Sequence, residues 1–171
     1  VKIDPLFKRG RIAGREKRGV RMAILDSSHV FLDCSVASRD EALELAANKA
    51  VELGVSTDAS ALLEGLKARE GEGSTGMMGG FAIPHCKSAS VSEPCVVVLR
   101  LSEPVDWQTM DKAPVDCAIA LFIPDGELGT EHLRILSKIA ASLMHEDFCR
   151  AVKGASDAAA VVAAINEGLE N

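Results

Sequence analysis

The sequence contains no tyrosine, one tryptophan and only five phenylalanines, although almost half of its residues are apolar. A folded core must therefore be built mainly from leucine, valine, isoleucine and alanine. The apolar content excludes disorder for most of the chain. No apolar run approaches the roughly 20 residues that a membrane-spanning helix needs. We expect the 171 residues to form one domain with a buried core.

Closely spaced cysteine pairs are also lacking. The cysteines are odd in number, are widely separated and form no Cys-x-x-Cys motif: Cys34, Cys86, Cys95, Cys117 and Cys149. This pattern is typical of reduced thiols in a cytosolic protein and not of a disulfide framework. The N-terminal charges are not followed by the apolar segment of a secretory signal. We therefore expect a cytoplasmic protein.

Basic charge is concentrated at the N-terminus. Residues 1–21 hold eight Lys or Arg and two acidic residues, a net charge of +6, whereas residues 22–171 have a net charge of −12. We interpret residues 1–21 as a basic arm, either disordered or a cloning remnant, and residues 22–171 as the folded domain. An arm that binds nucleic acid or a membrane is the alternative. The acidic body argues against nucleic acid as the main partner and suits docking onto a basic protein surface.

Several helices are predicted from capping residues and from apolar residues at helical spacing. Ser38 and Glu41 have the spacing of a capping box, and Gly54 is a plausible end for the helix they begin. A second helix is predicted from Asp58 to Arg69, which puts Arg69 at a helix C-terminus. Three later helices are predicted over residues 130–144, 145–152 and 156–169, with Thr130 as the cap of the first.

Strands are predicted between these helices. The continuous apolar runs at residues 95–99 and 115–123 are typical of buried strands, and both are bounded by proline or glycine. Residues 23–32 are a candidate for a first strand or turn that packs on the core. Helices and strands alternate along the chain, which predicts an α/β fold with helices covering a sheet.

The stretch from Arg69 to Lys87 is the most distinctive part of the sequence. It contains five glycines, then a short apolar run, Pro84 and His85. The proline favours an extended residue before it and removes one backbone donor, so His85 is expected at the end of a short strand on a rigid platform. The N–H groups of residues 76–80 could form an anion cradle, because glycine lets the backbone approach a ligand closely.

These residue types suit transfer of a phosphoryl group. A neutral imidazole can gain and lose phosphate, and His85 is the candidate nucleophile. Arg69 offers a planar guanidinium to phosphate oxygens, and His132 lies in the first turn of a predicted helix, where anions are favoured. Further candidate phosphate ligands are the Thr75 hydroxyl and the backbone N–H groups of Gly79 and Gly80.

Each candidate also has a structural interpretation. His85 could follow an ordinary turn, Arg69 could offset a helix dipole, and Thr75 could simply form a turn. His132 could be a half-buried residue under its helix. The His85–Cys86 pair could suggest a metal site, but no second pair has ligand spacing, so no metal is predicted. A reactive Cys86 thiol beside the site is another alternative.

Four separated motifs occur in one order along the chain: Gly-Ser-Thr-Gly at residues 73–76, Ala-Ile-Pro-His at 82–85, Pro-Val-Asp-Trp at 104–107 and Glu-His-Leu at 131–133. Together they closely resemble the fructose/mannitol-type enzyme IIA domains of the bacterial phosphoenolpyruvate-dependent sugar phosphotransferase system. The resemblance covers nearly all of residues 22–169. It implies a single domain with a central mixed β-sheet flanked by helices on both faces.

The resemblance also implies a function and assigns residues to it. His85 corresponds to the histidine that accepts a phosphoryl group from the phosphocarrier HPr and passes it to a cysteine of enzyme IIB. His132 corresponds to the second active-site histidine, and Arg69 to the arginine at a fixed distance before the phosphorylated one. No cofactor is implied, and the membrane is involved only indirectly, through the permease.

The branch of the family is suggested by one motif. The Pro-Val-Asp-Trp segment is most similar to the fructose branch, although family members commonly differ at Gly79, Phe81 and Cys86. The nitrogen-regulatory branch shares the histidine loop without a sugar role, so a regulatory enzyme IIA is an alternative. A non-catalytic binding module on the same fold is a second one.

Overall fold

A computed structural model of the chain describes residues 25–126 and 130–170, apart from the side chains of residues 130 and 131. The predicted basic arm at residues 1–21 lies outside the described residues, as does the side chain of Thr130, the predicted helix cap. The division of the chain into an arm and a domain therefore stays a prediction.

Five strands and five α-helices occur among the described residues, which confirms the α/β class. The strands are β1 (Val30–Cys34), β2 (Phe81–Ala82), β3 (His85–Ser88), β4 (Cys95–Val105) and β5 (Val115–Pro124). The helices are α1 (Arg39–Glu52), α2 (Ala59–Glu72), α3 (Thr130–Ser142), α4 (Glu146–Gly154) and α5 (Ala158–Glu170).

The strands form one mixed sheet in the order β1-β4-β5-β2, and β3 continues β2 along the same side of β5. β4 and β5 are antiparallel, whereas the other pairs are parallel. Phe81 lies opposite Cys117 and His85 lies opposite Leu121, so Ile83 and Pro84 interrupt what would otherwise be one edge strand. A proline fits there because an edge strand can lose a ladder donor.

Helices cover both faces of the sheet, as the resemblance implied. α1 and α2 bury a core that includes Leu43, Leu62 and Leu66 against one face. α3, α4 and α5 enclose a second core on the other face, with Ile139, Phe148 and Ile165 among its members. The two faces share β4 and β5, whose consecutive side chains alternate between the cores.

The first two helices begin where their sequences predict. The Ser38 hydroxyl accepts the Glu41 N–H at 3.2 Å, and the Glu41 carboxylate accepts the Ala37 N–H at 2.7 Å. α2 extends to Glu72, three residues beyond the predicted end, so Arg69 lies within its last turn. None of the described helices combines the length and the apolar character that a membrane span requires.

Candidate functional site

His85 is the first residue of the edge strand β3 and is partly exposed. Its neighbour Cys86 belongs to the core under α1 and α2. Because successive strand residues point to opposite faces, the His85 side chain lies on the face covered by α3, α4 and α5. Leu121, its partner on β5, belongs to the core on that face.

Both ring nitrogens of His85 have defined partners. Nδ1 lies 2.8 Å from the carbonyl oxygen of Ile83, and Nε2 accepts the Nε–H of Arg69 at 3.1 Å. A carbonyl oxygen can only accept and a guanidinium can only donate, so Nδ1 carries the proton and Nε2 carries the lone pair. His85 is therefore held as a neutral imidazole whose free lone pair is on Nε2.

The surroundings of His85 favour this neutral form. Burial lowers the pKa of the His85 imidazole, and the positive charge of Arg69 lowers that pKa further. The Ile83 carbonyl and the carboxylates of Glu70 and Glu72 act in the opposite direction on the pKa without reversing the shift. At neutral pH the Nε2 lone pair is therefore available.

We expect Arg69→Gln to raise the pKa of His85, because a positive charge next to the ring is lost. The pKa of His85 is lowered in the folded protein. The contribution of His85 to the free energy of unfolding should therefore be fully present above the unfolded pKa of about 6.5. This contribution is lost as the pH falls towards the folded pKa. Titration of the imidazole resonances by NMR measures the pKa, with Arg150→Gln at an exposed ion pair as the control. An unchanged His85 pKa in Arg69→Gln would contradict the prediction.

Arg69 is fixed by a second contact. Its Nη1–H donates to the Gly73 carbonyl at 2.9 Å, just after the helix ends. The last turn of α2 and the start of the glycine-rich segment thus hold the guanidinium over the edge of the sheet. One of its nitrogens contacts His85, and its planar group is suited to phosphate oxygens.

Glu70 is the site residue that the sequence reasoning missed. It is only 7% exposed, and its carboxylate lies within hydrogen-bond distance of four groups that can donate. The donors are the Ser74 hydroxyl at 3.0 Å, the Thr75 N–H at 3.0 Å, the Thr75 hydroxyl at 2.5 Å and the Trp107 indole N–H at 2.9 Å. The available signal was an acidic residue followed closely by two hydroxyl residues, since a buried carboxylate needs several donors.

The glycine-rich segment folds back as a hairpin against the β2 region. The Thr75 carbonyl accepts the Ile83 N–H at 3.0 Å, and the Phe81 carbonyl accepts the Met77 N–H at 2.7 Å. The chain reverses at Gly79 and Gly80, whose φ angles are +67° and +82°. Glycine suits both positions because other residues rarely adopt positive φ.

This hairpin does not bring Gly79 and Gly80 to His85, contrary to the predicted phosphate cradle. Their turn lies near Cys117, which is four residues, or about 13 Å, along β5 from the partner of His85. The Gly79 N–H donates instead to the Asp111 carboxylate at 2.9 Å. The physical reason is that the hairpin arms run antiparallel, so the reversal lies at the end away from His85.

Thr75 is close to the site in sequence but is directed elsewhere. It is 4% exposed, and its hydroxyl donates to Glu70 rather than to an anion position at His85. The structure therefore gives the Thr75 hydroxyl a role in loop shape and not in direct phosphate contact.

His132 lies in the first turn of α3 and is 8% exposed. Residues three and four positions apart share a helix face, so His132 lies on the side of Ile135 and Leu136, which pack on the core beneath α3. The His85 side chain is on that same face of the sheet. The topology thus places both histidines in one layer of the molecule.

Cys86 does not take part in this arrangement. Its thiol contacts the Leu62 carbonyl at 3.7 Å on the other face of the sheet, and burial raises the pKa of the thiol to about 12. The reactive-thiol alternative and the metal pair with His85 are therefore wrong, because the two side chains point in opposite directions.

Comparison with known proteins identifies the family to which this chain belongs. The family model described as phosphoenolpyruvate-dependent sugar phosphotransferase system, EIIA 2, matches residues 23–168. The chain belongs to this family of enzyme IIA domains.

Its relatives come from more than one branch. A fructose-specific EIIA component from Haloferax volcanii is 38% identical over 118 residues, which is 69% of this chain and 76% of that protein. A nitrogen regulatory protein from Pseudomonas aeruginosa is 36% identical over 138 residues, which is 81% of this chain and 89% of that protein.

Solved structures show the same fold. Nitrogen regulatory protein IIA-Ntr from Neisseria meningitidis has a TM-score of 0.77 and 34% identity, covering 83% of this chain and 96% of its own. The Escherichia coli complex of enzyme IIAMTL with phosphorylated enzyme IIBMTL gives a TM-score of 0.69 at 17% identity, covering 84% and 97%. In that solved complex the enzyme IIA domain is bound to a phosphorylated enzyme IIB domain.

Proposed function

We propose that this chain is a phosphocarrier that accepts a phosphoryl group from phospho-HPr on Nε2 of His85 and passes it to a cysteine of enzyme IIB. The observation that carries the proposal is the pair of contacts at the His85 ring. The Ile83 carbonyl holds the proton on Nδ1, and Arg69 marks the position of the Nε2 lone pair. Membership of the enzyme IIA family supports phosphotransferase activity.

Uptake of the group begins with attack of the Nε2 lone pair on phosphorus. A bond from phosphorus to Nε2 forms, and the bond from phosphorus to the donor breaks, with its electron pair returning to the donor. Arg69 moves its N–H groups from the lone pair onto the phosphoryl oxygens, whose negative charge it offsets. The Nδ1–H group stays hydrogen-bonded to the Ile83 carbonyl. This carbonyl stabilises the positive charge that the ring gains.

Delivery reverses these changes at the nitrogen. The thiolate of enzyme IIB attacks phosphorus, a sulfur–phosphorus bond forms, and the electron pair of the broken bond returns to Nε2. In this proposal His132 supports the phosphorylated state together with Arg69. This role for His132 is supported by its location in the first turn of α3, on the sheet face that His85 occupies.

The sugar that we propose is fructose, and this assignment rests on sequence similarity alone. A relative from Haloferax volcanii carries the name fructose-specific, and the Pro-Val-Asp-Trp segment points to the same branch. A regulatory enzyme IIA that signals by its phosphorylation state is the second candidate. It is favoured by the similarity to nitrogen regulatory proteins from two organisms, one with a TM-score of 0.77.

Phosphoryl transfer in a purified system tests the proposal. The chain is incubated with phosphoenolpyruvate, enzyme I and HPr, and its intact mass is read under non-acidic conditions. We expect one phosphate, assigned to His85 by peptide mapping, and its loss when a fructose-type enzyme IIB is added. Uptake without delivery to enzyme IIB would favour the regulatory candidate. No uptake from a competent HPr would refute the phosphocarrier function and favour a non-catalytic binding module.

A further inference from the structure

The buried carboxylate of Glu70 is connected to the Nδ1 side of His85 through Thr75. Glu70 accepts both the N–H and the hydroxyl of Thr75, at 3.0 and 2.5 Å. The Thr75 carbonyl in turn accepts the Ile83 N–H at 3.0 Å, and the Ile83 carbonyl contacts Nδ1 of His85 at 2.8 Å. Three successive hydrogen-bonded steps, through Thr75 and Ile83, thus join one carboxylate to Nδ1 of His85.

A second path reaches the Nε2 side. The Ser74 hydroxyl lies 3.0 Å from Glu70 Oε1 and also contacts the Gln108 carbonyl. Ser74 follows Gly73, whose carbonyl accepts Nη1–H of Arg69, and Nε–H of Arg69 contacts His85 Nε2. Fixing Ser74 therefore fixes the carbonyl that orients the guanidinium.

The carboxylate is itself held from a distant part of the chain. Trp107, between β4 and β5, donates its indole N–H to Glu70 Oε1 at 2.9 Å. A carboxylate only accepts hydrogen bonds, and each of the four contacts comes from a group that can donate. Since charge-assisted hydrogen bonds are short and directional, the four donors define the position of the segment around Ser74 and Thr75.

We propose that Glu70 is a positioning residue for phosphoryl transfer, because it sets both hydrogen bonds of the His85 ring at once. The inference rests on the function proposed for His85. In this proposal Glu70 acts through the length of its side chain and the direction of its hydrogen bonds, not through its charge. The nearby Glu72 separates these two effects, because it is exposed and also adds negative charge near His85.

The test uses matched substitutions in the full chain. Glu70→Asp keeps the charge and shortens the reach by one methylene group, whereas Glu70→Gln keeps the length and one acceptor oxygen and loses the charge. Glu72→Asp and Glu72→Gln are the controls. The readouts are the ¹⁵N resonances of the His85 ring, the indole N–H resonance of the single tryptophan, and the rate of phosphoryl uptake from phospho-HPr.

We expect Glu70→Asp to shift the His85 ring resonances towards a mixture of tautomers and to slow uptake by about 10- to 100-fold, since a misplacement of about 1 Å is sufficient for a loss of that size. Glu70→Gln should lie between this variant and the wild type, and both Glu72 variants should stay within about twofold of it. A larger loss in Glu70→Gln than in Glu70→Asp would overturn the proposal in favour of charge. Unchanged ring resonances and rate in both Glu70 variants would overturn it outright.

A milder variant keeps the proposal testable if Glu70→Asp does not fold. Thr75→Val removes the hydroxyl bond to Glu70 and leaves the backbone bonds in place. We expect the Nδ1 resonance of His85 to move, and an unchanged resonance would refute the connection. The resonances are read on unphosphorylated protein, so they report on positioning even if the wild type takes up no phosphate.

Discussion

Replacing His85 by glutamine should abolish phosphoryl uptake. A glutamine amide can donate to the Ile83 carbonyl and accept from Arg69, so the two contacts that orient the imidazole can persist. The amide has no nucleophilic lone pair comparable to that of imidazole Nε2. We therefore expect a folded protein whose intact mass shows no added phosphate after incubation with phosphoenolpyruvate, enzyme I and HPr.

His145→Gln is the matched control for this experiment. His145 is exposed, precedes α4 and makes no side-chain cap hydrogen bond. We expect this variant to take up one phosphate at the rate of the wild type. A phosphate found on His85→Gln at wild-type stoichiometry would contradict the assignment of the nucleophile, and His132 would be the next residue to map.

Gly76→Ala should be the most destabilising single-methyl change near the site. A Cβ at Gly76 would lie 2.2 Å from the Gln108 carbonyl oxygen and 3.0 Å from its carbon. The obstacle is backbone, and the Ser74 hydroxyl also contacts the same carbonyl, so neither loop can move aside cheaply. Overpacking of this kind costs about 3 kcal/mol. In a domain of this size that corresponds to a fall in Tm of about 6–12 °C, measurable by thermal unfolding.

Gly71→Ala is the control variant, because it adds the same methyl group at another glycine. Gly71 lies within α2, and a Cβ there would meet no atom within 4 Å. Alanine is a better helix former than glycine by about 1 kcal/mol, so this variant should be as stable as the wild type or more stable. If Gly76→Ala unfolded at the same temperature as Gly71→Ala, the close approach of the two loops would be disproved.

The strands of the core could be predicted because burial on both faces leaves a continuous apolar run. Residues 95–99 and 115–123 were identified in this way and lie within β4 and β5. The rest of β4 could not be identified, because Ser102, Glu103 and Pro104 are exposed and carry no apolar periodic pattern. Pairing with β1 and β5, and not residue preference, extends that strand.

The site could be predicted only where its residues are set by local sequence. The glycines and the proline that precede His85 identified it as a candidate site residue. The predicted end of the second helix was close enough to put Arg69 in the last turn of α2. The direction of the glycine hairpin was not accessible, because it depends on contacts with Asp111 and Gln108 more than thirty residues away. The same holds for Glu70, whose burial requires the Trp107 indole N–H from the connection after β4.

The order in which the molecule folds follows from where the site lies along the chain. Arg69, Glu70, Thr75 and His85 belong to one short continuous segment, so few residues separate the groups that must meet. In contrast, β1 must find β4 across a long separation, with Val30 opposite Val98. Closing a short loop loses less chain entropy than closing a long one, so local contacts form sooner. We expect the hairpin of residues 75–83 to form early and β1, at the opposite edge of the sheet, to join late, an order that pulsed hydrogen exchange during refolding would measure.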